Sequence, residues 1–132
     1  MIDHVDRTLQ LWRSTPFTWG SRDCMLSIGD YIASRGGVDV TGLFRGTYDG
    51  EAGALAYVAS YGGCVGLIDL TGLPHVADPK RGDVVVFFTG ETEVGALCTG
   101  EGIAMRLERG VIELPKRLVS RSRAIVQAWS VP

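Results

Sequence analysis

At Asp83 the hydrophobic periodicity of this 132-residue chain changes. Downstream, "DVVVFF" is a continuous β-branched and aromatic run. The segments "VGALCT", "IAMRLE", "VIELP" and "AIVQAWSV" follow it at spacings of about ten residues with glycine-containing turns between them, the pattern of short strands in hairpins. Upstream, apolar residues recur at helical spacing. Val5, Leu9 and Trp12 define a helix from Asp3 to Arg13, ended by Ser14-Thr15-Pro16. Met25, Ile28 and Ile32 define a second that stops at Gly36-Gly37, and an alanine-rich stretch from Glu51 to Tyr61 forms a third, closed by Gly62-Gly63. One further helical turn is expected near Leu67. Helices first and an antiparallel sheet of about five strands second define an α+β fold.

The chain is expected to be one domain, residues 1–132, because this length buries about two-thirds of the unfolded surface and no repeat or linker divides it. Its 18 glycines, roughly double the usual ~7%, fit many tight turns between short elements. A net charge of -2 gives no electrostatic reason to expect nucleic-acid binding. The one basic cluster, Lys116, Arg117, Arg121 and Arg123, reads as solvated surface or a subunit contact. The N-terminus carries Asp3 and Asp6 where a signal peptide has a basic start and an apolar core, and no run of about 18 apolar residues spans a bilayer. The expectation is synthesis in the bacterial cytoplasm without a signal peptide, and no membrane span.

Three cysteines, odd in number and without a C-x-x-C pair, argue against a disulfide framework and a zinc module. Cys64 and Cys98 read as small buried hydrophobes. Cys24, in "PFTWGSRDCML", falls at the start of the second helix, where unpaired N–H groups and the helix dipole favour thiolate. Asp23 is the expected N-cap. Trp19 and Gly20 are expected to shape the turn that presents Cys24, and Asp83 to hydrogen-bond the turn into the first strand. No carboxylate cluster accompanies Asp83, so no metal and no cofactor is expected. A nucleophilic thiol needs a base, normally histidine. His4 lies in the first helix and reads as a surface residue; His75, in the loop "GLPHVADP", is an alternative base.

Taken in order, "FTWGSRDCMLSIGDYI", "KRGDVVVFF" and "EVGALCTGEGIAM" resemble the NlpC/P60 family of papain-like cell-wall cysteine peptidases, and more narrowly its short relatives in phage and prophage tail gene clusters. The likeness runs from about Phe17 to Leu114, with hallmarks in the Trp-Gly turn before Asp-Cys, the Gly-Asp before the first strand, and the Val-Gly strand. It implies a papain-like NlpC/P60 fold with Cys24 as nucleophile. Glu93, however, stands where the family has its histidine, and an exposed glutamate titrates about two units below imidazole. The family's third polar position falls around Ile103 to Arg106, where no residue suits the orientation of an imidazole.

Two readings follow from the resemblance. One is a tail-tip or tail-assembly structural protein of a phage or phage-like particle, located in the virion and partnered by hub, distal tail or baseplate subunits. The other is an active cysteine peptidase that cuts peptidoglycan during host entry. Under the first, the terminal "AWSVP" is an exposed apolar patch whose removal leaves a folded monomer.

Overall fold

The chain is described over residues 2–132 by a computed structural model. Helices α1 (His4–Ser14), α2 (Cys24–Ser34), α3 (Glu51–Ser60) and α4 (Gly63–Asp69) precede strands β1 (Val84–Phe88), β2 (Glu93–Cys98), β3 (Gly102–Leu107) and β4 (Gly110–Pro115). Helix α5 (Lys116–Ser122) and strand β5 (Ile125–Trp129) complete the chain, and a short 3-10 turn, Thr41–Leu43, follows α2. The sheet order is β4-β3-β2-β1-β5 and every neighbouring pair is antiparallel. The fold is α+β. No single helix among the described residues is long and apolar enough to cross a membrane.

Alternation along the strands divides the core between two faces. Val84, Val86, Leu97 and Ala104 pack with α1, α2 and α4, whereas Val85, Phe87, Ala96 and Met105 form a second cluster with Val119 of α5. This explains why "DVVVFF" is apolar throughout: both faces of β1 are covered. The basic cluster is therefore in part a structural element. Val119 of α5 is buried against the outer sheet face, while the charged residues around it stay exposed.

The C-terminal segment departs from expectation. Trp129 is fully buried, pairs with Val84 across β1 and β5, and donates from its indole Nε1 to Asp69 Oδ1 at 2.9 Å. "AWSVP" is thus part of the core and sheet rather than an exposed patch, and its loss would open the main cluster. Equally, the single turn expected near Leu67 is a full helix, α4, with Cys64, Leu67 and Ile68 buried.

Helix α2 reaches the sheet where β2 is thinnest. A Cβ on Gly95 would lie 2.9 Å from Ile28 Cγ1 and 3.1 Å from Met25 Sδ, so the absence of a side chain sets the helix-to-strand distance. Gly95→Ala is expected to destabilise the fold by about 1–3 kcal/mol through overpacking. Urea unfolding of the two proteins measures it, and equal midpoints would mean that α2 does not seat on β2 as described.

Candidate functional site

The turn ahead of α2 is built by short-range bonds and closed by one side chain. Thr18 and Arg22 bridge through both backbone N–H groups, at 3.2 and 2.7 Å. Between them Gly20 takes φ +83°, and a Cβ there would fall 2.0 Å from the Tyr48 carbonyl oxygen, so both conformation and contact demand glycine. The Gly20 carbonyl in turn accepts from Gly46 N at 2.8 Å. Asp23, 1% exposed, caps α2 by accepting from Leu26 N at 3.0 Å. Its other oxygen accepts from Gly20 N at 3.0 Å and from the Tyr48 hydroxyl at 2.6 Å.

Cys24 is thereby fixed as the first residue of α2, and it lines a groove of 480 Å³. Trp19, Tyr48, Leu55 and Ile112 contribute walls, and Cys64, Glu91, Glu93 and Glu108 also line it. Trp19 sets its ring edge against Phe17, with centroids 4.8 Å apart, and donates from Nε1 to Glu108 Oε2 at 2.9 Å. The turn's tryptophan is thus a groove wall as well as a turn residue.

The electrostatics of Cys24 run against the expectation from its place on the helix. The residue keeps partial exposure and its thiol is free, but the sulfur is densely surrounded. Burial pushes the thiol up to about 12, and the charge of Asp23 and the neighbouring Cys64 push in the same direction. The backbone N–H groups of Met25 and Gly95 pull the other way and are outweighed. Cys24 is a thiol, not a thiolate, near neutral pH.

Glu93 opens β2 on the face shared with Gly95 and Leu97, so the structure places it in the same groove as Cys24. Its carboxylate lies over the entry to α4, with Oε1 3.3 Å from where a Cβ on Gly63 would stand. Its carbonyl accepts a weak bond from the Cys64 thiol at 3.6 Å. Burial, followed by the charge of Glu93, pushes the Cys64 thiol up to about 12 as well.

The remaining sequence-derived residues lie apart. His75 is not among the groove residues; its Nε2 lies 2.7 Å from Asp69 Oδ1, and its ring stands edge-on to Trp129 at 5.7 Å. That contact is the main cause holding the Asp69 carboxyl below its ordinary value; burial opposes it and the Trp129 indole assists. Asp83, 1% exposed, accepts from Lys80 N at 2.9 Å and from Val131 N at 3.1 Å, which ties the turn into β1 to the C-terminal segment. Among the described residues no group of three or more His, Cys, Asp or Glu side chains is placed to hold a metal ion.

One residue of the groove escaped the sequence reading. Arg106 on β3 is 4% exposed and bonds Ser27 Oγ at 3.2 Å and the carbonyl and hydroxyl of Thr15, both at 2.7 Å. The signal was present: in "IAMRLE" the arginine occupies the strand face that Ala104 shares with the helices, a position where an apolar residue is expected.

The arrangement defines a class: an α+β domain whose first sheet-packed helix begins with a cysteine facing an acidic groove, without an imidazole in that groove. Residues 2–131 match the DUF6950 family, a domain of unknown function, and the chain belongs to that family. No curated protein matches it.

Removal of the Asp23 carboxylate leaves a helix start uncapped and two buried donors unpaired. Asp23→Ala is expected to cost about 3 kcal/mol, combining a lost cap of about 1 kcal/mol with the unpaired Gly20 N–H and Tyr48 hydroxyl. Chemical denaturation reads it out; a loss below about 0.5 kcal/mol, ordinary for a surface substitution, would show that the three-way clasp carries no weight.

Proposed function

We propose that this chain is a tail-tip or tail-assembly subunit of a phage or phage-like particle, built on a papain-like NlpC/P60 fold that no longer performs peptidase chemistry. The observation that carries the loss of chemistry is the composition of the groove. It contains the Cys24 thiol and the Glu93 carboxylate, and no histidine is among its lining residues.

Acyl transfer by a thiol requires that a nearby base take its proton and a conjugate acid return it to the leaving amine. Glu93 is suited to neither at neutral pH, and its negative charge beside two cysteines favours protonated sulfur. The assignment to a tail rests on the resemblance in the Trp-Gly-to-Asp-Cys turn and the Val-Gly strand. It is supported by Leu55 and Ile112, apolar groove residues left 47% and 39% exposed, which a hub, distal tail or baseplate subunit would cover.

One observation favours the alternative, an active peptidoglycan peptidase. The groove is still open at 480 Å³, in the range of small-ligand sites of about 300–1,000 Å³, with Cys24 in its lining. That reading requires a base delivered by another molecule.

Thiol chemistry separates the two. With a thiol near 12 instead of about 8.5, the thiolate fraction at pH 8 is lower by more than three decades, partly offset by greater intrinsic nucleophilicity. Iodoacetamide should therefore alkylate Cys24 roughly 10²-fold more slowly than free cysteine, with a rate that climbs through pH 10 without levelling. A plateau reached below pH 8 together with release of peptide from muropeptides would establish the peptidase instead.

The structural role has its own test in the particle. Deleting the gene is expected to block tail completion, whereas Cys24→Ser should leave tails and infectivity at the normal level. A Cys24→Ser phenotype as severe as the deletion, with the variant protein folded, would overturn the non-catalytic reading.

A further inference from the structure

A second cleft, of 440 Å³, lies between α1 and α2 and shares only Arg106 with the Cys24 groove. Its charge is lopsided. Arg7, Arg22, Arg35 and Arg106 line it together with His4, and Asp30 is its only carboxylate. Asp30 is already engaged, 2.5 Å from Arg45. None of the four cleft arginines forms an ion pair among the described residues. The acids of α1 that could have neutralised them, Asp3 and Asp6, are both held by Arg81.

Arg106 is the telling member. Its guanidinium is 96% removed from water, yet its partners are a hydroxyl and carbonyl of Thr15 and the hydroxyl of Ser27, none of them charged. A buried guanidinium without a counter-charge is costly to hold, and one wall of its surroundings is this cleft. Burial first, and the neighbouring Arg22 second, push Arg106 below its ordinary value, the direction expected where positive charges crowd without an anion.

We propose that the cleft binds a small organic molecule bearing a phosphate, with the phosphate among Arg22, Arg7 and Arg106. Guanidinium forks match phosphate oxygens in paired hydrogen bonds, and several around one concavity give the charge density that a dianion requires. The volume exceeds what a bare phosphate fills and falls in the small-molecule range of about 300–1,000 Å³. Trp12, Leu11 and Tyr31 supply an apolar wall for the organic part. A nucleic-acid backbone would instead need a basic surface continued beyond a single cleft, on a chain whose net charge is -2. The site is formed by α1, α2 and β3 and does not depend on the tail-assembly reading.

Titration of the whole chain with pyrophosphate at low ionic strength, followed by calorimetry and by thermal unfolding, tests the site. Saturable one-to-one binding that raises the unfolding temperature is expected. Arg22→Glu and Arg7→Glu, both at exposed positions, should each weaken it at least tenfold while circular dichroism stays unchanged. Arg117→Glu, the same change of charge on α5, should leave it intact. Absence of saturable binding at millimolar pyrophosphate, or equal weakening by Arg117→Glu, would overturn the site. Retention of a DNA duplex through Arg22 with no affinity for pyrophosphate would also overturn it, in favour of a nucleic-acid surface.

Discussion

The Asp23 carboxylate is removed from water and accepts three hydrogen bonds, from Gly20 N, Leu26 N and the Tyr48 hydroxyl. A buried charge is tolerable only when it is met in this way. Because the three donors come from the turn before α2, the first turn of α2 and the loop after it, satisfying one side chain fixes all three segments at once. The direction of α2 follows, and with it the seating of Met25 and Ile28 over Gly95 and the position of Cys24. The same carboxylate then acts on what it has positioned, since its negative charge disfavours a thiolate one residue away.

Two opposed effects meet at that thiol, and their sizes decide the outcome. A helix start favours a negative charge by about 0.3–1 kcal/mol, up to ~2 in partly buried geometry. Burial in a crowded pocket opposes ionisation at about 1.4 kcal/mol for each pH unit, and a thiol pushed up to about 12 corresponds to several kcal/mol. Desolvation wins by a wide margin. Position on a helix is therefore an incomplete guide to reactivity: what removes water from the sulfur outweighs what the backbone offers it.

Features governed by neighbours in the chain were readable in the sequence. The break in periodicity at Asp83 separates helices from strands, and Asp23 and Asp83 make bonds within three residues of themselves. The glycine of the Trp-Gly turn belongs to the same class, since a positive φ is a local requirement. Features governed by distant contacts were not readable. Trp129 looks like a terminal anchor until β5 is paired with β1, and α5 looks like a charge run until Val119 meets the outer face of the sheet. His75 shows the same limit from the side of function: its loop could have reached Cys24, but the chain fold gives it to Asp69 and Trp129.

Arg106 joins the two clefts and bears on how far the groove stands from hydrolytic chemistry. It occupies the stretch of β3 where an NlpC/P60 enzyme would place the polar residue that accepts a hydrogen bond from the base. A guanidinium has five donors and no acceptor, so it cannot hold an imidazole in the tautomer that leaves its other nitrogen free to take a proton. Under the proposed descent, three separate properties oppose peptidase chemistry: a glutamate at the base position, a donor-only side chain in the orienting segment, and a nucleophile whose surroundings protonate it. Each has a different physical origin, namely charge type, hydrogen-bond polarity and desolvation, so reversal of any one leaves the other two in force. The bonds of Arg106 to Ser27 and Thr15 give it an independent structural reason to stay, because they join β3 to α2 and to the end of α1. A side chain that ties elements together and faces a basic cleft on its other side is constrained by packing and charge on both sides, which fits a groove whose ancestral geometry is retained by the fold rather than by catalysis.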